Sequence, residues 1–492
     1  MAAGQDWVTP RLNGQPWLEK PILFYWAAAS GYRVVGDSEM AARLPSALSA
    51  AMTSLILAWL AWRVYGATTV ALVLVVFPTT LSTFAFARGA TPDMLFASLL
   101  ALTMMTAARL TVEPSDRPSR WQMAFGGTLG LALLAKGPVG ILLAAGSLAL
   151  WGLAARRLSR LTALAHPLIW VTFAIVGLPW YVLSAIRNPE FVEVFLIDHN
   201  LNRFLTPVFQ HQQPFWFFGP ILVLGLVPWS AFLLPGLRRA WLLWRTGELA
   251  GSPSLYVGCW ALCPILFFSL SSSKLPGYIL PAIPAAALLL ARTMAGFLDR
   301  TDRDARWPLL GTAAVLAGLA TALAVPETAI AGVPGLPLDT LRPLAPVVGL
   351  ASLVVAGSAF WRQEHLAVAA VALAFAGGAL YLNAVMLPHL DPLLSPRTVA
   401  RRVQETSAPE RVSMYRLHRA WDFGLDYYLH RELPEWASDE FVGPALVVTN
   451  EDGVEELRDQ DVSVEILHNV SRESILVALT PPTTARASSS AR

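Results

Sequence analysis

The stretch that decides the fold is residues 121–155, WQMAFGGTLGLALLAKGPVGILLAAGSLALWGLAA, in which two apolar runs are separated only by Lys136-Gly137-Pro138. A helix needs roughly 20 apolar residues to cross the hydrocarbon core of a bilayer, and each run approaches that length. The interruption is either a tight turn or a kink within one long buried hairpin. Both interpretations predict helices inside a membrane.

The rest of the chain repeats this apolar pattern. Its 492 residues are 55% hydrophobic and 14% charged, and the mean hydropathy is +0.51. This apolar excess excludes an ordinary water-soluble domain, whereas the net charge of +2 says little by itself. The sequence therefore predicts an all-α polytopic membrane protein with about twelve spans, near 42–62, 67–87, 93–110, 121–137, 138–155, 163–185, 215–236, 253–270, 275–296, 307–325, 341–361 and 365–386.

Basic residues fall in alternate loops of this layout. Cytoplasmic loops of membrane proteins are enriched in Lys and Arg, so these loops are expected inside. They contain Arg63, Arg117, Arg120, Arg156, Arg157, Arg160, Arg238, Arg239, Arg245, Arg300, Arg303, Arg306 and Arg362. The other loops, expected outside, hold Glu19, Lys20, Arg88, Asp93, Lys136, Asp198, His199, Arg203, His211, Lys274 and Tyr278. The ionisable chemistry is thus predicted to gather on one face.

The two ends of the chain differ in character. An even number of spans places both termini outside, yet the N-terminus shows no export signal, so we expect a further span upstream of Met1. After about residue 390 the sequence predicts short strands and helices, which indicate a small α/β domain outside the membrane. The predicted organisation is an external loop with juxtamembrane helices (1–41), a transmembrane domain (42–390), the α/β domain (396–480) and a disordered tail (481–492).

The first external loop places an acid beside a base at Glu19-Lys20. One interpretation is an interfacial belt, in which neighbouring Trp and Tyr rings sit at headgroup depth and Lys20 reaches the interface. The functional interpretation is that Lys20 meets a phosphate as a point charge, while Glu19 acts as a metal ligand or acid–base group. The sequence alone leaves both open.

Three further polar segments have the same two interpretations. Asp93 is either a helix N-cap or a functional carboxylate at a membrane helix end. His199 shares a six-residue segment with Asp, Asn and Arg, which favours a metal or phosphate role over a structural one. Lys274 either anchors a helix end or joins the Ser-rich turn and Tyr278 in a phosphate pocket.

These segments resemble motifs of the polyprenyl-phosphate-dependent C-type glycosyltransferases, the group that contains the aminoarabinose transferase of lipid A and the protein O-mannosyltransferases. The matching residues occur in the family's order and cover most of the membrane portion. They are Asp6-Trp7, Pro10-Arg11-Leu12-Asn13-Gly14, Leu18-Glu19-Lys20-Pro21, Pro92-Asp93, Ala135-Lys136-Gly137-Pro138, His199-Asn200, Arg203-Phe204 and Ser273-Lys274-Leu275-Pro276 with Tyr278.

The resemblance implies a membrane enzyme that moves a sugar from a polyprenyl (undecaprenyl) phosphate donor to an envelope acceptor, most closely lipid A or a related glycolipid, with a protein hydroxyl as another acceptor. No nucleotide and no nucleic acid are expected. It also implies a bacterial inner membrane location, with the active site and the C-terminal domain on the periplasmic side. A divalent metal (Zn, Mg or Mn) is implied at Glu19 and His199. The implied donor-phosphate contacts are Lys20, Arg203, Lys274 and Tyr278, and the implied catalytic acidic residue is Asp93.

One departure keeps other functions open. Relatives of this kind carry a catalytic aspartate in an Asp-Glu motif, and the corresponding position lies upstream of Met1. A catalytically inactive truncated homologue is therefore one alternative. A lipid or sugar transporter, or a flippase, is another, and it predicts an inverted repeat and ionisable residues in mid-span.

Overall fold

The computed structural model describes residues 6–12, 14–202, 205, 212–299, 306–325, 338–406, 411–437, 444–460, 462–472 and 474–480. The chain forms two compact units. The first comprises Met1–Ala317 and Leu350–Leu373, and the second comprises Gly318–Gly349 and Ala374–Arg492.

The described part of the chain is mostly helical. It opens with a short antiparallel hairpin of β1 (Arg11–Leu12) and β2 (Gln15–Pro16). The next helices are α1 (Leu23–Val35), α2 (Glu39–Val64), α3 (Ala67–Val76), α4 (Leu81–Phe86), α5 (Pro92–Thr111), α6 (Pro118–Lys136), α7 (Val139–Ala154) and α8 (Pro167–Arg187). A π-helical segment, Val192–Asn202, follows. The remaining apolar helices are α9 (Phe218–Gly225), α10 (Leu233–Arg245), α11 (Pro253–Ser269), α12 (Ile283–Leu298), α13 (Arg306–Ala324), α14 (Leu344–Trp361) and α15 (Glu364–Tyr381).

All twelve predicted apolar segments are helical over most of their length, which confirms the predicted fold class. Not all of them form a single helix that is long and apolar enough to cross a membrane. Among the described residues, seven helices qualify, or eight if the bent pair Phe218–Gly225 and Trp229–Arg245 counts as one span, and α3, α7 and α11 are shorter apolar helices. The predicted count of twelve therefore includes helices that are short or broken.

The stretch 121–155 forms two helices joined by a tight turn. Helix α6 ends at Lys136 and α7 begins at Val139, and Gly137 between them has φ +82°. After this turn α7 packs closely against α6. A Cβ on Gly140 would lie only 3.2 Å from the backbone of Ala132. Of the two interpretations that the sequence allowed, the tight turn is the one observed.

Two predicted continuous spans are broken. The 67–87 segment divides into α3 and α4, and the 215–236 segment bends by 113° after α9. The breaks lie against each other. The backbone N–H of Leu81 donates to the carbonyl oxygen of Val227 (2.9 Å), and Nε1 of Trp229 donates to Oγ1 of Thr79 (2.8 Å). Backbone groups freed within an apolar environment need such partners, so each break helps to satisfy the other.

Helices α6 and α8 approach closely because glycines lie between them. A Cβ on Gly130 would lie 3.0 Å from the backbone nitrogen of Gly177, and a Cβ on Gly126 would collide with the carbonyl oxygen of Ile169. Small residues are the usual means by which membrane helices bring their backbones together. The position of Lys136, at the end of α6, therefore depends on this contact.

We expect Gly126→Ala to destabilise the first unit by about 1–3 kcal/mol, because the added methyl group can be accommodated only by moving α8 away. Gly127→Ala is the matched control, since a Cβ there meets nothing within 4 Å. Thermal unfolding of the two purified variants in detergent measures the difference. Equal midpoints for both variants would show that the close approach contributes nothing.

The second unit contains a four-stranded sheet. Its strands are β3 (Val412–Met414), β4 (Ala445–Thr449), β5 (Ser463–Ser471) and β6 (Ser474–Thr480), in the order β3-β4-β6-β5. Strand β3 pairs parallel with β4, and the other pairings are antiparallel. The helices of this part are α16 (Leu387–Leu394), α17 (Arg397–Gln404), α18 (Arg419–Leu429) and α19 (Glu451–Asp459).

Two apolar clusters hold this sheet domain together. Val448 and Leu476 pack with Leu425 of α18, and Val447 and Val477 pack with Leu457 of α19. Alternate residues of β4 thus enter different clusters, as expected for a strand whose side chains alternate between two covered faces. The C-terminal sheet domain that the sequence predicted is present, and the predicted tail, 481–492, lies outside the described residues.

Candidate active site

A cavity of about 620 Å³ lies in the first unit where several helix ends meet. Its lining combines a set of polar residues with a larger apolar surface. The polar members are Glu19, Lys20, Thr91, Asp93, Lys136, His199, Asn200, Ser271 and Tyr278. Among the apolar members are Val139, Leu142, Leu196, Leu201, Phe267 and Phe268. The cavity therefore suits a ligand with a charged end and a long apolar part.

The N-terminal segment that carries Glu19 and Lys20 is tied to the helices beside it. Nε1 of Trp180, in α8, donates to the carbonyl oxygen of Val8 (2.8 Å). The carboxylate of Asp6 accepts from the backbone N–H groups of Val8 (3.0 Å) and Thr9 (3.2 Å). These backbone hydrogen bonds, together with the nearby Arg187 guanidinium, hold the pKa of Asp6 below its usual range.

Buried residues on either side fix the direction of the Glu19-Lys20 pair. Leu18 and Ile22 are buried in a cluster with Trp180 and with Phe195 of the π-helical segment. Glu19 and Lys20 lie between these two anchors and line the cavity. Of the two interpretations of this loop, the observed placement favours a site over an interfacial belt.

Asp93 is paired with a lysine and does not cap its helix. The N-cap of α5 is Thr91, and Asp93 lies in the first turn. One carboxylate oxygen of Asp93 accepts a hydrogen bond from Nζ of Lys136 at 2.5 Å, with about a fifth of each side chain exposed. The N-cap interpretation of Asp93 is therefore wrong. Instead, the pair joins the start of α5 to the end of α6.

Lys136 also faces two aromatic rings. Its Nζ lies 5.5 Å from the ring centroid of Phe96 and 5.5 Å from that of Tyr278, distances at which a cation is attracted to the ring face. Lys136 belongs to one of the sequence motifs, but the resemblance implies no role for it. The available signal was a single lysine at the junction of two apolar runs, where a charge is costly without a partner.

Glu19 and His199 approach each other across the cavity. Oε1 of Glu19 lies 3.9 Å from Nε2 of His199. His199 belongs to the π-helical segment, where the side chain of the next residue, Asn200, donates to the carbonyl oxygen of Phe195 (2.6 Å). The described residues include no group of three or more His, Cys, Asp or Glu side chains placed to hold a metal ion. The chain thus offers a carboxylate and an imidazole as a pair.

The remaining predicted residues are placed differently from one another. Tyr278 lines the cavity from the 3₁₀ segment Pro276–Ala282 that leads into α12. Lys274 does not line it, because its side chain is buried and its Nζ donates to the carbonyl oxygen of Ser271 at 2.6 Å. Arg203 and His211 lie outside the described residues.

All lysines of the chain lie at or next to the cavity. Only three of the 36 basic residues are lysines, namely Lys20, Lys136 and Lys274. Two line the cavity and the third braces the turn that contributes Ser271. A lysine ammonium is a compact point charge, whereas the arginine guanidinium is a planar fork. The cavity thus differs from the rest of the protein in the type of cation it presents.

The fold and the cavity define a polytopic membrane protein whose helix ends enclose one charged, partly apolar pocket. Residues 19–183 match the protein family described as dolichyl-phosphate-mannose-protein mannosyltransferase. In fold, the chain is similar to the crystal structure of ArnT from Cupriavidus metallidurans bound to undecaprenyl phosphate, with a TM-score of 0.77 and 24% identity over 97% of this chain and 91% of that one. The fold that the motifs predicted is confirmed by this similarity.

The chain is also similar in sequence to curated proteins. The chain is 32% identical over 294 residues to an undecaprenyl phosphate-alpha-4-amino-4-deoxy-L-arabinose arabinosyl transferase of Erwinia tasmaniensis, which covers 59% of this chain and 52% of the relative. It is 30% identical over 307 residues to the protein of the same description from Edwardsiella ictaluri, with 61% and 53% covered. The chain thus spans about half the length of the curated relatives it matches. The resemblance to the aminoarabinose-type group is confirmed.

Proposed function

We propose that this protein transfers a sugar of the 4-amino-4-deoxy-L-arabinose type from undecaprenyl phosphate to lipid A or a related glycolipid. The observation that carries the proposal is the convergence of Glu19, Lys20, Asp93, His199 and Tyr278, from separate segments, on one partly apolar cavity. A lipid-phosphate sugar has the matching chemistry, with an anionic head and a long hydrocarbon chain. The similarity to undecaprenyl phosphate-aminoarabinose transferases supports the choice of donor and sugar.

We assign the donor phosphate to the cationic side of the cavity. Lys20 and Tyr278 both line the cavity, and an ammonium and a phenol hydroxyl can donate hydrogen bonds to phosphate oxygens. Arg203 is proposed as a further contact on the strength of its motif. For Lys274 we propose that it stabilises the turn containing Ser271, because its ammonium group donates a hydrogen bond to the Ser271 carbonyl oxygen.

Glu19 and His199 are proposed to hold a divalent metal. A carboxylate and a neutral imidazole are suitable ligands for Zn²⁺ or Mn²⁺, so these two side chains would hold the ion. When bound, a divalent cation supplies charge stabilisation to the phosphate. No nucleotide is required, since the donor is already activated by its phosphate.

In the proposed reaction, an acceptor oxygen attacks the anomeric carbon and the bond from that carbon to the phosphate oxygen breaks. Undecaprenyl phosphate leaves with the electron pair, and the acceptor's proton passes to a carboxylate or to water. Lys20 and Tyr278 stabilise the charge that develops on the leaving phosphate. Asp93, held by Lys136, is the acidic residue that we place beside the reacting end.

A transporter or flippase is the rival hypothesis, and the positions of the ionisable groups argue against it. Asp93 lies in the first turn of α5 and Lys136 is the last residue of α6. Charges that line a transport path are expected in mid-span. For the orientation we propose a bacterial inner membrane with the cavity facing the periplasm, in agreement with the arginine-rich loops on the other side.

The test is sugar transfer in membranes containing the full chain. Lipid A is incubated with undecaprenyl-phosphate aminoarabinose or with a nucleotide-linked sugar, and the product is detected by mass spectrometry. We expect a lipid A product with the lipid-phosphate donor only. His199→Ala is expected to lower the rate about 100-fold, the loss of roughly 2.7 kcal/mol of transition-state stabilisation.

Glu193→Ala is the matched control, because Glu193 is exposed on the same π-helical segment and does not line the cavity. Its rate should equal that of the wild type. Movement of the labelled donor across the bilayer without any product would instead support a flippase. Transfer from the nucleotide-linked sugar would contradict the proposed donor.

A further inference from the structure

Helix α10 is a short helix with two kinds of side chain on its exposed face. It has 13 residues and is therefore about 20 Å long, too short to cross a hydrocarbon core of about 30 Å. The stretch that contains it, Trp229–Arg245, is bent by 113° from α9. Such a helix is placed to run along a membrane surface rather than through the bilayer.

One edge of the exposed face is apolar and aromatic. Leu234 is 75% exposed, Leu237 65%, Trp241 50% and Trp244 67%. At about 100° per residue these four side chains fall within roughly 80° of the helix circumference. Tryptophan is enriched where a membrane meets water, because its ring is apolar and its N–H is polar.

Two exposed arginines continue the same face. On the helical wheel Arg245 and Arg238 follow directly after the apolar edge, and both are exposed. The guanidinium of Arg245 lies over the ring of Trp241, 4.9 Å from its centroid. A lipid-facing side of a spanning helix does not carry such charges, whereas an interfacial helix places apolar residues below the headgroups and basic residues among them.

The opposite side of the helix is fixed to the membrane domain. Gly236 lies against α12, where a Cβ on the glycine would come 3.1 Å from Oγ1 of Thr293. Just before the helix, the ring of Phe232 lies 6.2 Å from that of Phe297. The exposed face is therefore held in a defined orientation by the protein itself.

We propose that α10 is a binding site for anionic phospholipid headgroups at the membrane surface. Arg238 and Arg245 contact the lipid phosphates, and the apolar edge defined by Leu234, Leu237, Trp241 and Trp244 lies at the level of the acyl chain ends. The occupant is a bilayer lipid with net negative charge, since a zwitterionic lipid offers no net attraction to two arginines on one helix face. This proposal does not depend on the activity of the cavity.

The test uses the purified full chain in a neutral detergent, titrated with phosphatidylglycerol or phosphatidylcholine, with bound lipids counted by native mass spectrometry. We expect phosphatidylglycerol to bind roughly 30-fold more tightly, from two basic residues that each contribute about 1 kcal/mol. The double variant Arg238→Gln, Arg245→Gln should lose this preference. Arg238→Lys with Arg245→Lys should keep it, which separates charge from folding.

The matched control is Arg117→Gln with Arg120→Gln. These two arginines are also exposed, they lie at the start of α6, and their removal changes the net charge by the same amount. The control should retain the lipid preference. The proposal is overturned if the wild type binds both lipids equally, if the Arg238 and Arg245 double variant keeps its preference, or if the control loses the same preference.

Discussion

Replacing Lys136 with methionine is expected to lower the rate of sugar transfer about 1000-fold, at the upper end of the effect of removing one preorganised charged group. The substitution leaves the Asp93 carboxylate without its partner at 2.5 Å in a partly buried position. It also removes the cation that faces the ring of Tyr278. Transfer rates in membranes, together with thermal unfolding of the purified variant, measure the two consequences.

A double variant separates the catalytic from the structural part of this effect. Lys136→Met alone should destabilise the protein by about 1–3 kcal/mol, because breaking a partly buried ion pair strands the remaining charge. Adding Asp93→Asn should restore most of that stability while transfer stays low. Arg120→Met, at the exposed start of the same helix, is the control and should change neither quantity. Recovery of transfer in the double variant would assign the pair a purely structural role.

Replacing Lys20 with methionine is expected to have an effect of similar size, about 100- to 1000-fold, because the donor phosphate loses a cation that stabilises its departure. Lys20 lines the cavity together with Asp93. The loss should appear in the single-turnover rate as well as in kcat/KM, since the charge on the phosphate develops during bond cleavage. Rapid mixing of membranes with labelled donor provides the measurement.

Two comparison variants sharpen the Lys20 experiment. Lys20→Arg keeps the charge but changes a point cation into a planar fork, so an intermediate rate is expected. Arg11→Met removes a cation from the same N-terminal region, where Arg11 is exposed and donates to the carbonyl oxygen of Gly14 (2.9 Å). Its rate should be that of the wild type. A Lys20→Met rate equal to the Arg11→Met rate would remove Lys20 from the site.

Hydropathy predicted where the helices lie but not where they break. The 67–87 segment contains no charged residue, so its average hydropathy does not show that the helix stops at Val76 and restarts at Leu81, although Pro78 lies in the break. A hydropathy average sums contributions of the individual residues, and this sum is the same for a straight and a broken helix. The break depends on partners distant in sequence, such as the carbonyl oxygen of Val227 that accepts from Leu81.

The candidate site was predicted as a set of residue types but not as a set of contacts. The motifs identified Glu19, Lys20, Asp93, His199 and Tyr278, all of which line the cavity. The pairing of Asp93 with Lys136 could not be read from the sequence, because it joins residues 43 positions apart. The orientation of the Lys274 ammonium likewise depends on the backbone conformation of the turn.

The confinement of lysine to this region makes the cavity chemically addressable. A reagent that acylates primary amines has three side-chain targets in the chain, and the buried Lys274 is shielded from it. Side-chain labelling, read residue by residue by peptide mass spectrometry, therefore reports mainly on Lys20 and Lys136. Because both line the same cavity, the extent of acylation with and without a candidate ligand becomes a measure of occupancy that requires neither turnover nor knowledge of the acceptor.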